Sequence, residues 1–157
     1  MKHLIVAAAL SLAASAAHAC ETVTVGDITV GQAWSKVTIG AGRPGIFYVS
    51  IRNAGTTDDA LVAISTPASG GPMLHETVVT DGIASMPHAK SIPVPAGQDV
   101  QLAPGGYHGM LMDLTAALKL GDSFPVTLSF EKAGDVTVTA EVLPLRSEGP
   151  DCIPAGQ

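Results

Sequence analysis

Apolar and polar residues alternate with a period of two along much of this chain. In Ser123–Phe130 every even-numbered position is apolar or aromatic, and Val136–Val142 alternates in the same way. This is the pattern of a β-strand with one buried face. Lys132–Asp135 lies between the two segments and predicts a hairpin turn.

Shorter segments of the same character precede this hairpin, and turn residues (Gly, Pro, Asp and Asn) separate them. The further strand candidates are Val23–Val30, Ile46–Ile51, Leu61–Ile64, Leu74–Val79 and Asp99–Leu102. Seven or more short strands, roughly ten residues apart, predict an all-β Greek-key sandwich or barrel. Leu114–Leu120 is interpreted as a single helical turn, and Ser147–Gln157 as an irregular tail. No repeat or shift in composition divides the chain, so we expect one domain.

The composition indicates a folded, acidic protein. Of the 157 residues 46% are apolar and 14% are charged, and the formal net charge is −6. A chain of this kind is not a disordered polyelectrolyte. Because it has no run of basic residues, it is not expected to bind nucleic acid or an anionic membrane surface.

The first nineteen residues have the form of a secretory signal peptide. A short positive end, Met1–His3, precedes the apolar run Leu4–Ala17, and Ala17-His18-Ala19 has the small-x-small form of a cleavage site. We therefore predict a signal peptide at residues 1–19 and a single domain at residues 20–157, outside the cytoplasm. No second long apolar segment predicts a membrane span.

The two cysteines, Cys20 and Cys152, stand near the two ends of this predicted domain. In an oxidising compartment such a pair is most simply a disulfide. The alternative is a lipid on Cys20, which would be the first residue after cleavage. The residues before Cys20 lack the large aliphatic side chain expected for lipoprotein processing, so the disulfide is favoured.

The candidate chemistry is concentrated in one quarter of the chain. Beyond the predicted signal peptide, all histidines and methionines fall between positions 73 and 112: Met73, His75, Met86, His88, His108, Met110 and Met112. A single methionine is usually core filler, but the grouping of all seven calls for a joint explanation. The chain has no nucleophile elbow, phosphate-binding loop or zinc-protease motif, so an enzyme is not predicted.

Imidazole and thioether side chains together favour Cu(I), which is a soft ion that accepts neutral nitrogen and sulfur ligands. On an extended segment, His108 and Met110 project from the same face. Met112 continues that face but fits equally well in the core. Gly105-Gly106, before His108, and Gly109, between His108 and Met110, are expected to allow a close approach of the backbone to a ligand.

The spacing of four of these residues resembles the signature of a known family. Ten residues separate His75 from Met86, twenty-one separate Met86 from His108, and one separates His108 from Met110. This resembles the periplasmic copper chaperones that help to load the CuA centre of cytochrome c oxidase. Leu102–Met112 is also similar to that family's pattern, and the resemblance covers residues 22–143.

The resemblance implies a cupredoxin-like β-barrel and a non-enzymatic, periplasmic carrier of Cu(I). The implied ligands are His75, Met86, His108 and Met110. The implied recipient is the oxidase subunit that holds the CuA site, or a thiol-bearing assembly factor.

The chain departs from this family at several positions. Ala84 stands where a second methionine is common, His88 is an additional candidate ligand, and the C-terminus has no His/Met-rich extension. Two alternatives remain open, a secreted β-sandwich binding module without metal and a copper-dependent redox enzyme. A blue-copper carrier is rejected because no cysteine stands near the cluster. Zinc is not favoured because it gains little from thioethers.

Overall fold

The computed structural model describes residues 20–152. The predicted signal peptide, at residues 1–19, and the end of the tail lie outside the described residues. The described part forms twelve β-strands and no α-helix. In chain order these are β1 Thr22–Val25, β2 Ile28–Lys36, β3 Gly45–Asn53, β4 Asp59–Ser65, β5 Ser69–Glu76, β6 Val78–Thr80, β7 Ile83–Ser85, β8 Ile92–Val94, β9 Asp99–Leu102, β10 Tyr107–Leu114, β11 Ser123–Phe130 and β12 Gly134–Leu143.

Ten of these strands form one sheet that curls into a nearly closed barrel. Its strands follow the order β5-β10-β3-β2-β12-β11-β4-β8, with β1 beside β2 and β9 beside β3. The pairing is antiparallel except between β12 and β2. β6 and β7 form a separate hairpin. The all-β, barrel-like fold predicted from the alternation is confirmed.

The strands β11 and β12 show how the alternation produces the core. They pair from Ser123 with Glu141 to Phe130 with Gly134, so the predicted hairpin turn is confirmed. Every second side chain on each strand points into the barrel and is buried: Phe124, Val126, Leu128 and Phe130 on β11, and Val136, Val138, Ala140 and Val142 on β12. The burial of these apolar side chains away from water is the main force that holds the barrel together.

Asp59, the first residue of β4, fastens the same hairpin turn to the barrel. Its carboxylate accepts hydrogen bonds from the backbone N–H groups of Ala60 (2.7 Å), Lys132 (2.9 Å) and Ala133 (2.9 Å). Burial alone raises the pKa of Asp59, but these three bonds and the positive charge of Lys132 outweigh it and lower the pKa overall.

Four local predictions were wrong or incomplete. The predicted strand Val23–Val30 is interrupted by a turn at Gly26-Asp27, which separates β1 from β2. The segment Leu114–Leu120 does not form the predicted helical turn, because Leu114 ends β10 and the residues after it are irregular. Leu118 turns into the core, and its backbone is hydrogen-bonded to Thr38. The predicted strand Leu74–Val79 is divided at Thr77 into β5 and β6. The strands β7 and β8 were not predicted.

The ends of the described chain are joined by a disulfide between Cys20 and Cys152. The favoured prediction for these cysteines is confirmed. Because the sulfur of Cys20 is bonded to Cys152, it is not available to carry a thioether lipid. Within residues 20–152, no helix has the length and apolar character that crossing a membrane requires.

Candidate metal centre

The strands β5 and β10 bring the histidines and methionines together. In their antiparallel register His75 is opposite His108, Leu74 is opposite Gly109, and Met73 is opposite Met110. Residues directly opposite each other in such a pair have side chains on the same face of the sheet. The register therefore aligns one pair of histidines and, next to it, one pair of methionines.

The other face of this strand pair belongs to the barrel core. Leu74 and Leu111 are buried there, and Gly109, opposite Leu74, also faces the core. A Cβ atom on Gly109 would stand 2.7 Å from Cδ1 of Ile64 and 3.1 Å from Cβ of Phe47. The expectation that Gly109 allows the backbone to approach a ligand was wrong, because the close approach is to the core.

Backbone carbonyl groups orient both imidazole rings. The Nδ1 atom of His75 lies 2.9 Å from the carbonyl oxygen of Met86, and Nδ1 of His108 lies 3.1 Å from that of Gly106. A carbonyl oxygen only accepts hydrogen bonds, so each Nδ1 must carry the proton and donate it. In the neutral form of such a ring, Nε2 is the acceptor and has a free lone pair.

Both of these Nε2 atoms are buried and have no hydrogen-bond partner. The two ring centroids are 5.8 Å apart, and His108 is only 3% exposed. Leaving a buried acceptor unpaired costs about 1–3 kcal/mol, so such atoms usually have a functional reason. Two neutral imidazole nitrogens, oriented by second bonds at Nδ1, are the usual arrangement of histidine metal ligands.

Met86 reaches this pair from the β6–β7 hairpin. After the hairpin the chain returns along the free side of β5, where Ala89 N–H donates to Leu74 (2.8 Å) and Glu76 N–H donates to Pro87 (3.2 Å). The carbonyl group of Met86 is thus fixed to the His75 ring while its side chain is 50% exposed. The structure brings the backbone of Met86 to the pair and leaves its thioether accessible from solvent.

His88 lies beside His75 on the side away from His108. The two residues form an isolated β-bridge, and their ring centroids are 6.0 Å apart in an edge-to-face arrangement. Even so, residues 20–152 contain no group of three or more His, Cys, Asp and Glu side chains placed to hold a metal ion. The side-chain donors next to His75 and His108 on the same face of their strands are the thioethers of Met73 and Met110.

None of the four described methionines belongs to the buried core. Met73 and Met86 are exposed, and Met110 and Met112 are half-buried. Their interpretation as core filler does not fit these positions, because core methionines are enclosed by apolar neighbours. The candidate site thus offers imidazole nitrogen and thioether sulfur as its donor atoms. Among the described residues no carboxylate forms an ion pair with its histidines.

Most of the sequence matches the model of a known family. Residues 28–142 match the model of the family described as putative lipoprotein LpqE-like. The chain belongs to this family. The putative lipoprotein Lxx21020 of Leifsonia xyli subsp. xyli is 37% identical to it over 116 residues, which are 73% of this chain and 69% of the relative.

Solved structures with the same fold are described as PCuAC domains and as a copper(I) protein. The copper-bound PCuAC domain from PmoF2 superposes with a TM-score of 0.68 at 25% identity, over 79% of this chain and 98% of that domain. The solution structure of CuI-DR1885 from Deinococcus radiodurans gives a TM-score of 0.60 at 27% identity, over 78% of this chain and 80% of that one. The predicted cupredoxin-like β fold is confirmed by these matches.

Proposed function

We propose that this protein is a non-enzymatic, extracytoplasmic carrier of one Cu(I) ion. The ligands in this proposal are His75, Met86, His108 and Met110. The observation that carries it is the pair of buried, unpartnered Nε2 atoms with thioethers on the neighbouring positions of the same strands.

The chemistry of the donors supports Cu(I) over other ions. Cu(I) is soft and accepts neutral sulfur and nitrogen, whereas Zn(II) prefers thiolate, imidazole and carboxylate. Both cysteines of the chain are used in the disulfide, so no thiolate is available for a blue-copper centre. The similar structures described as copper-bound and as CuI-DR1885 support the same conclusion.

The exposure of the site supports a carrier rather than an electron-transfer or catalytic centre. Met86 is half exposed and His108 is buried. His108 would therefore hold the ion on the protein side, and the ion could be reached from solvent on the side of Met86. An acceptor ligand then has room to bind before Met86 leaves. By its resemblance to copper chaperones, we propose delivery toward the CuA site of cytochrome c oxidase, directly or through a thiol-bearing assembly factor, in the periplasm.

Anaerobic titration with Cu(I), in competition with a chromophoric Cu(I) chelator, tests the binding step. We expect one ion per chain, and Zn(II) should fail to displace it. Met86→Leu removes the sulfur but keeps an apolar side chain, so it should weaken Cu(I) binding without a change in melting temperature. Equal or tighter Zn(II) binding, or an unchanged Cu(I) affinity in Met86→Leu, would show that the ligand set is wrong.

Delivery is tested separately by mixing the Cu(I)-loaded protein with a metal-free CuA-site domain and with a thiol-bearing assembly factor. Copper should pass to one of them faster than it is lost to buffer. If the protein binds Cu(I) but neither acceptor takes it, the proposed recipient is wrong and the binding site stands.

A further inference from the structure

Met73 occupies a position that the four-residue ligand set does not explain. It lies directly opposite Met110 in the β5–β10 pair, immediately next to the row formed by His75 and His108. The Cβ atoms of opposite residues in antiparallel strands are about 5 Å apart, and a methionine side chain extends well beyond that distance. Two thioethers at these positions can bind a common ion.

The environment of Met73 excludes a role in the core. Its neighbour Leu74 is buried at 2% exposure, whereas Met73 is 39% exposed and projects from the opposite face. An apolar side chain that stays exposed gains little stability from burial, and leucine or valine would serve as well at a buried position. The property that methionine adds at such a position is its sulfur.

Exposure increases in order along this face of the two strands. His108 is enclosed, His75 and Met110 are half-buried, and Met73 is exposed. A soft ion held at the histidine pair therefore has a continuous set of neutral donors leading outward. The last of them, Met73, is accessible from solvent.

We propose that Met73 is a further Cu(I) ligand, which takes the ion from Met110 and presents it to an acceptor at the protein surface. This inference rests on the proposed function, because it needs Cu(I) at the histidine pair. In the transfer step a Cu–S bond to Met73 forms while the Cu–S bond to Met110 breaks. Copper remains Cu(I), and no electron or proton is gained or lost.

Met112 provides the matched control. It lies on the same face of β10 but opposite Gly71, one row further from the histidines than Met73. It therefore has no thioether across from it. Met73→Leu and Met112→Leu each remove one thioether sulfur, from neighbouring rows of the sheet, and both keep an apolar side chain of similar volume.

The experiment uses the full chain with 13C-labelled methionine methyl groups and substoichiometric Cu(I) without oxygen. We expect the methyl resonances of Met73, Met86 and Met110 to shift on binding and that of Met112 to remain in place. Met73→Leu should slow transfer to a chromophoric chelator by about tenfold or more, since even the loss of an outer-shell partner of a metal ligand costs about 10–100-fold in affinity or activity. Met112→Leu should transfer at the wild-type rate.

The outcomes separate this inference from the proposed function. If Met86 and Met110 shift and Met73 does not, or if both leucine variants slow transfer equally, the role of Met73 is refuted and the carrier function stands. If Cu(I) moves no methionine resonance at all, both are refuted.

Discussion

The unpartnered Nε2 atom of His108 leads to a prediction in which stability and copper binding change in opposite directions. The change is His108→Leu. Leucine branches at Cγ as imidazole does and has a similar volume, so it fills the same buried space. It has no polar atoms, and it therefore removes both the Nδ1 hydrogen bond and the unpaired Nε2 acceptor.

The magnitude follows from the contacts of the ring. Losing the bond from Nδ1 to Gly106 costs about 0.5–1.5 kcal/mol. The carbonyl oxygen of Gly106 is not left bare, since the N–H of Thr77 also donates to it at 3.1 Å. Removing a buried acceptor that has no partner returns about 1–3 kcal/mol. The metal-free variant should thus be more stable than wild type by about 1 kcal/mol, or about 3 °C in melting temperature.

With Cu(I) bound, the wild-type protein should become more stable than His108→Leu. At a free Cu(I) concentration 100 times the dissociation constant, binding stabilises the wild-type protein by about 2.7 kcal/mol. His108→Leu has lost a ligand, so the same Cu(I) concentration should stabilise it far less. Melting curves by circular dichroism, without oxygen and with and without Cu(I), measure both effects. His88→Leu is the control, because it removes an exposed imidazole and should change neither curve by more than about 0.5 kcal/mol.

The opposite result would refute the reasoning. If His108→Leu melts several degrees below wild type without metal, and copper still raises both melting temperatures equally, the buried imidazole is a structural residue. The unpaired Nε2 would then have no connection with copper.

Three further predictions concern the framework around the site. Gly109→Ala should lower the free energy of unfolding by about 1–3 kcal/mol through overpacking, and it should weaken Cu(I) binding because it displaces β10. Gly42→Ala is the control, because a Cβ atom there meets nothing within 4 Å. It should change neither quantity in the same denaturation and chelator assays. Replacing Cys20 and Cys152 by serine should lower the free energy of unfolding by up to about 4–5 kcal/mol, measured in urea, with Cu(I) affinity unchanged. Asp59→Asn should destabilise the protein at pH 7. The difference from wild type should disappear as the pH falls through the folded-state pKa of Asp59. A lowered carboxyl pKa stabilises the fold only at a pH where the group is ionised in the native state. A stability difference between Asp59→Asn and wild type that stays constant from neutral to acidic pH would contradict this role of Asp59.

The fold was predictable wherever one face of a strand is buried and the other is solvated. Ser123–Phe130 was predicted with the bounds it has as β11, since its alternation is imposed by the core on one side only. The prediction failed where tertiary contacts override local pattern. Leu114–Leu120 has a helical spacing of leucines, but Leu114 and Leu118 are buried by packing of an irregular segment. The strand β8, Ile92–Val94, was hidden by its proline and by the turn residues that follow it.

The site was predictable in its residue types but not in its arrangement, because spacing along the chain does not give the register between strands. One signal in the sequence does carry register information. Met73-Leu74-His75 and His108-Gly109-Met110 each contain one methionine and one histidine, in reversed order. In an antiparallel pair, reversed order places like residues opposite each other, and the structure pairs histidine with histidine and methionine with methionine. The predicted strand began at Leu74 and therefore omitted Met73, so the methionine pair was missed. The two carbonyl groups that orient the rings, those of Met86 and Gly106, depend on how the hairpin returns along β5, which no local pattern encodes.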